Sequence, residues 1–77
     1  LANLLAREVE KLLSGVLGEF IAMATVKKNC ELIGTTPDAI TSDHLPELAE
    51  KIERSIAFFT DKETGRSLAE KVKSVRV

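Results

Sequence analysis

Tryptophan and tyrosine are absent from this chain, and phenylalanine occurs only three times. That removes the aromatic platforms on which single-stranded nucleic acids stack. Cysteine and histidine occur once each, as Cys30 and His44. A disulfide within the chain is therefore excluded, and a zinc site built from Cys and His would lack ligands. There is no basic excess either: 11 Lys and Arg stand against 12 Asp and Glu, for a net charge of −1. Without such an excess, little draws a protein onto a phosphate backbone. Long apolar runs are also missing. The densest stretch, Leu12 to Val26, contains Glu19 and falls short of the roughly 20 apolar residues that a membrane span requires. Arg7, Glu8, Glu10 and Lys11 interrupt the N-terminal leucines, so no secretion signal is legible. A lone thiol fits a reducing compartment, and the expected location is cytoplasmic.

What is present is apolar and short. The 77 residues are 44% hydrophobic, which allows one domain over residues 1–77. A domain of this size buries only about 60% of the surface its unfolded chain exposes. Small domains offset that deficit with a disulfide, a metal or an oligomer. With the disulfide excluded, oligomerisation or packing against more of the same polypeptide is the expected source of extra stability. The chain starts at Leu1 rather than Met, as a processed product or a piece of a larger protein would.

The hydrophobic pattern is helical throughout, with no strand alternation. Placed at 100° per residue, Leu5, Ala6, Val9, Leu12, Leu13, Val16, Leu17, Phe20, Met23 and Ala24 fall within an arc of roughly 140°. The series Ala6, Val9, Leu13, Val16, Phe20, Met23 alternates steps of three and four, which is a heptad seam. Gly15 and Gly18 could end a helix, but the seam keeps its phase across them, and no connection of ordinary length separates two helices there. The pattern thus predicts one helix over about residues 2–33, kinked at the glycines. Such a helix is about 48 Å long, against a diameter of about 30 Å for a domain of this length.

Gly34 and Pro37 stop that helix. A short turn is expected over residues 37–40. Thr41 or Ser42 should cap the next helix, about 42–59, whose core face is Leu45, Leu48, Ala49, Ile52, Ile56 and Phe59. Thr60-Asp61-Lys62-Glu63 has the spacing of a capping box and opens a last helix over about 61–76, carrying Leu68, Ala69, Val72 and Val75. Gly65 weakens its start. The expected fold is an all-α bundle of three to four helices, with a long N-terminal helix and completion by dimerisation.

Chemistry-bearing groups are few. Asp43, His44 and Glu47 share one helical turn and could in principle hold a divalent cation, but first-turn acid and ion-pair partner explain the two carboxylates more simply. Cys30 on the seam reads as a small buried hydrophobe, although Lys27 and Lys28 beside it would favour a thiolate. Gly15-x-x-Gly18 lacks the Lys and Ser/Thr of a phosphate loop. No catalytic residue, metal ligand or cofactor site is predicted.

The remaining signal is a contact surface. A helix apolar nearly all round needs cover on more than one side. Ser14, Gly18, Ala22 and Thr25 line its back with small residues, which permit a close helix crossing. The predicted partner interface is Leu5, Val9, Leu12, Leu13, Val16, Gly18, Phe20, Ala22 and Met23. The expected function is that of a non-catalytic helical interaction or oligomerisation module, in which a second copy or another domain of a larger signalling protein is the partner. An alternative follows from residues 15–57, where a long helix, the loop Ile40-Thr41-Ser42-Asp43-His44-Leu45 and a second helix resemble the second half of a histone-fold handshake. That resemblance implies nucleic-acid binding, but the basic surface that histones use is missing.

Overall fold

In the computed structural model, which describes all 77 residues, four α-helices follow one another: α1, Leu4–Leu17; α2, Glu19–Leu32; α3, Leu45–Phe59; and α4, Lys62–Lys73. A 3₁₀ turn, Ser42–His44, leads into α3. The fold is an all-helical bundle, as the periodicity predicts. Its dimensions are 29 × 22 × 22 Å.

The long helix expected over residues 2–33 is two helices. Gly18 has φ +82° and ψ 159°, far from helical values, in a region closed to residues that carry a Cβ. The ladder runs to the Gly18 N–H, which donates to Ser14 O at 2.9 Å, and resumes when Ala22 N–H donates to Gly18 O at 3.0 Å. One residue thus folds α2 back along α1. A straight helix from Leu4 to Leu32 would be about 44 Å long, well beyond the 29 Å of the longest dimension. Folding back lets Leu5, Ala6, Val9 and Leu13 of α1 bury against Ala22, Val26 and Cys30 of α2 within a single core.

The break also resets the helical phase. On α1 the seam residues Ala6, Val9 and Leu13 face inward, while Val16 beside the break is exposed. On α2 the inward residues are Ala22, Thr25, Val26, Asn29 and Cys30, whereas the seam residues Phe20 and Met23 point to solvent. The small-residue stripe is divided accordingly: Ser14 is half-buried, Gly18 sits in the exposed turn, and Ala22 and Thr25 face the core. Asn29 is buried but satisfied. Its side-chain nitrogen donates to Thr25 O at 2.8 Å and to the Ser55 hydroxyl at 3.2 Å, which joins α2 to α3.

Local signals explain the other boundaries. The Asn3 side-chain oxygen accepts from Ala6 N–H at 2.9 Å and caps α1. The Asn3 side-chain nitrogen donates to Ile40 O at 2.9 Å, and its backbone N–H to Pro37 O at 2.9 Å, tying the start of α1 to the loop after α2. At the end of α2, Gly34 takes φ +84°. Gly34 N–H donates to Glu31 O at 3.1 Å and Thr35 N–H to Cys30 O at 2.9 Å, which is the Schellman arrangement. A hydrogen-bonded turn over Pro37–Ala39 follows, closed by Ala39 N–H on Thr36 O at 3.0 Å.

Two helix starts and one helix end differ from expectation. Residues 42–44 form the 3₁₀ turn rather than the start of the α-helix. The predicted box at Thr60–Glu63 does not form: Asp61 is the cap, accepting from Thr64 N–H at 2.8 Å, while the Thr60 hydroxyl turns back to Ile56 O at 2.8 Å. The last helix stops at Lys73, not near 76, because Val75 N–H turns onto Val72 O at 3.2 Å and carries the Val75 side chain into the core. Phe59, expected on the core face of α3, is 59% exposed and packs edge-on against Phe58 with ring centroids 5.7 Å apart. α3 ends there, one turn past its last core residue, Ile56.

Candidate protein-interaction surface

The nine residues predicted as a partner interface separate into two groups. Leu5, Val9, Leu13 and Ala22 are buried in the chain's own core, and Leu12 packs half-buried against it. Val16, Gly18, Phe20 and Met23 are exposed. The separation follows from the break at Gly18: the fold-back buries the seam of α1 as far as Leu13, leaves Val16 beside the break exposed and turns Phe20 and Met23 outward.

α2 therefore has an unusual distribution. Its core side includes two polar residues, Thr25 and Asn29. Its solvent side carries Phe20, 82% exposed, and Met23, 56% exposed; Ile21 and Leu32 are also exposed but lie on a different side of the helix. Isolated exposed apolar residues are ordinary on a protein surface, but Phe20 and Met23 lie one turn apart on one helix face and form a patch with a function to explain.

The patch is concave. Phe20, Met23, Ala24 and Lys27 line a groove of about 490 Å³, whose far wall is Leu1, Ala2 and the Thr36–Asp38 turn. Asn3 builds that wall, since its two hydrogen bonds to Pro37 O and Ile40 O fasten the loop to the start of α1. Glu10, Glu31 and Asp38 supply three carboxylates around the groove, and Lys27 one ammonium. The Thr36 hydroxyl donates to the Asp38 carboxylate and holds it below the ordinary Asp range, so that rim charge is present at neutral pH. None of these four side chains is in an ion pair within the chain; the pairs are Glu8–Lys11, Glu50–Arg54, Glu63–Arg66 and Glu70–Lys73.

The other chemical candidates have structural roles. His44 Nδ1 accepts from Thr41 N–H at 2.9 Å and lies 3.4 Å from the Thr41 hydroxyl, closing a reciprocal cap over the 3₁₀ turn. No three His, Cys, Asp or Glu side chains gather closely enough to hold a metal ion. Cys30 is fully buried. Burial, and next the carboxylates of Glu10 and Glu31, push its thiol up to about 11. The environment is thus opposite to the thiolate-favouring one that Lys27 and Lys28 suggested, and the thiol is protonated at neutral pH.

Sequence reasoning located Phe20 and Met23 but missed the groove's far wall. Pro37 and Asp38 reach α2 only through the loop's attachment to Asn3, and no periodicity reports a contact of that kind. No protein-family model, curated protein or solved structure matches this chain.

Proposed function

We propose that this chain is a non-catalytic helical interaction module whose contact surface is the outer face of α2. The single observation that carries the reading is the inversion on that helix. Thr25 and Asn29 face the core, while Phe20 and Met23 stand side by side on the solvent face. Covering such a face removes apolar area from water at about 25 cal/mol per Å². A helix laid in the groove is the natural mode of contact. The partner is a second copy of the chain or another segment of the same polypeptide, which would supply the extra burial that a 77-residue domain needs.

Sedimentation velocity from micromolar to millimolar concentration tests self-association. Phe20→Glu is the informative variant, because Phe20 is exposed and its replacement leaves the core intact. The variant is expected to keep its helical circular dichroism and lose association. Association that persists unchanged in Phe20→Glu would remove the outer face of α2 as the contact. Leu13→Glu makes the contrast: it places a charge in the core and is expected to unfold the chain.

A further inference from the structure

We infer that Gly18 is a hinge through which two copies of this chain exchange α1, giving a dimer in which α1 and α2 form one continuous helix. Such an exchange depends on the hinge itself and does not require the outer face of α2 to bind anything.

The helical ladder is complete on both sides of Gly18. Its N–H bonds Ser14 O and its C=O accepts from Ala22 N–H, as in an uninterrupted helix. The missing rungs are the three from Glu19, Phe20 and Ile21 to Gly15, Val16 and Leu17, and they would be restored if Gly18 adopted helical torsions. Nothing opposes that change locally. The space around Gly18 and Gly15 is open, with no atom within 4 Å of where a Cβ would stand. The residues on either side are already helical, and no proline lies between Leu1 and Thr36.

Straightening at Gly18 swings α1 away from α2–α4 and exposes Leu5, Ala6, Val9 and Leu13, all of which are buried in the closed chain. That exposure is prohibitive for one molecule. Two molecules avoid it if each inserts α1 into the place vacated in the other, since every contact of α1 with α2 and α4 is then remade between copies. The exchanged dimer differs from two monomers mainly at its hinges, in the manner of domain swapping. A one-residue connection also favours exchange, because it has no slack with which to relieve its own torsional demand.

Gly18→Ala tests the hinge. The closed conformation needs φ +82° there, which Ala adopts only with strain, whereas Ala favours a helix. The substitution should lower the dimer dissociation constant by at least roughly tenfold, two hinges being relieved per dimer. Light scattering reads the mass. Nitroxides at Arg7 and Lys28, in a Cys30→Ala background and diluted into unlabelled chain, read the distance within one chain. A continuous helix separates those positions by about 32 Å.

A Gly18→Ala dimer with that long distance supports the exchange. A folded Gly18→Ala monomer overturns it. A dimer that keeps the short hairpin distance also overturns it, and assigns association to side-by-side contact through the face proposed above. If Gly18→Ala fails to fold, the wild-type chain refolded at millimolar concentration decides: an elongated dimer that reverts on dilution supports the exchange, and refolding to monomer alone overturns it.

Discussion

The backbone at Gly65 lies so close to α3 that a Cβ there would sit 2.8 Å from the carbonyl oxygen of Glu53 and 3.2 Å from the backbone nitrogen of Ala57. Both obstacles are main-chain atoms and cannot rotate aside. Gly65 is buried, and its lack of a side chain sets how closely α4 approaches α3. Gly65→Ala is accordingly expected to destabilise the fold by about 1–3 kcal/mol through overpacking. Helix propensity alone would favour Ala by about 1 kcal/mol. Urea denaturation decides between them, and a more stable Gly65→Ala would refute the close approach.

Asn29 and Ser55 provide the polar link between α2 and α3. Asn29→Ala should cost about 1–3 kcal/mol, since it removes the donor to the Ser55 hydroxyl and to Thr25 O. In a double-mutant cycle with Ser55→Ala, the shared hydrogen bond should appear as a coupling of about 0.5–1.5 kcal/mol. Strict additivity of the two substitutions would show that the bond contributes nothing.

Asp61 makes the start of α4 sensitive to acid. The backbone N–H of Thr64, and next its hydroxyl, hold the Asp61 carboxyl below its ordinary value of 3.8. In the unfolded chain the group titrates at the ordinary value, so the folded state favours the carboxylate. The stabilisation is complete above the unfolded value and is lost as pH falls through the lower, folded one. Asp61→Ala should therefore melt at a lower temperature than wild type at pH 7. The difference should shrink when both are compared at progressively lower pH below 3.8. A difference that stays constant into strong acid would contradict the charged cap.

Cys30 supplies the opposite, alkaline dependence. Its folded value is about 11 against an ordinary 9.0, so above pH 9 the unfolded thiol ionises before the folded one. The stability it contributes is present below the unfolded value and disappears as pH rises through the folded one. Wild type should lose more stability than Cys30→Ala as pH rises from 9.0 to about 11, the window between the unfolded and folded values. At neutral pH the buried thiol should react with a disulfide reagent only as fast as the chain opens. Rapid labelling under native conditions would contradict its burial.

Much of the architecture is legible in local residue patterns. Leu45, Leu48, Ala49, Ile52 and Ile56 repeat at helical spacing and form the buried face of α3. Gly34 before Thr35-Thr36-Pro37 ends α2, because a left-handed glycine and a proline are local constraints that hold in almost any context. In the sequence Gly65 is only a weak helix former, and the neighbouring α3 backbone alone reveals why a glycine stands there. Of the interaction surface, Phe20 and Met23 were legible as apolar residues needing cover. Their separation from Leu13 and Ala22 was not.

The amino-acid sequence by itself determined that this chain is helical, where its later helices begin and end to within a few residues, and that its first 33 residues carry more apolar surface than one helix face can hide. Tertiary structure alone decided how that surface is divided. At Gly18 the backbone itself does not choose between a straight helix and a hairpin: continuity would restore three backbone hydrogen bonds, and folding back buries Leu5, Val9 and Leu13 in the core. Glycine permits both torsions, so local preference leaves the choice open. Only the packing of α1 against the other helices tips the balance, leaving Phe20 and Met23 on the outside.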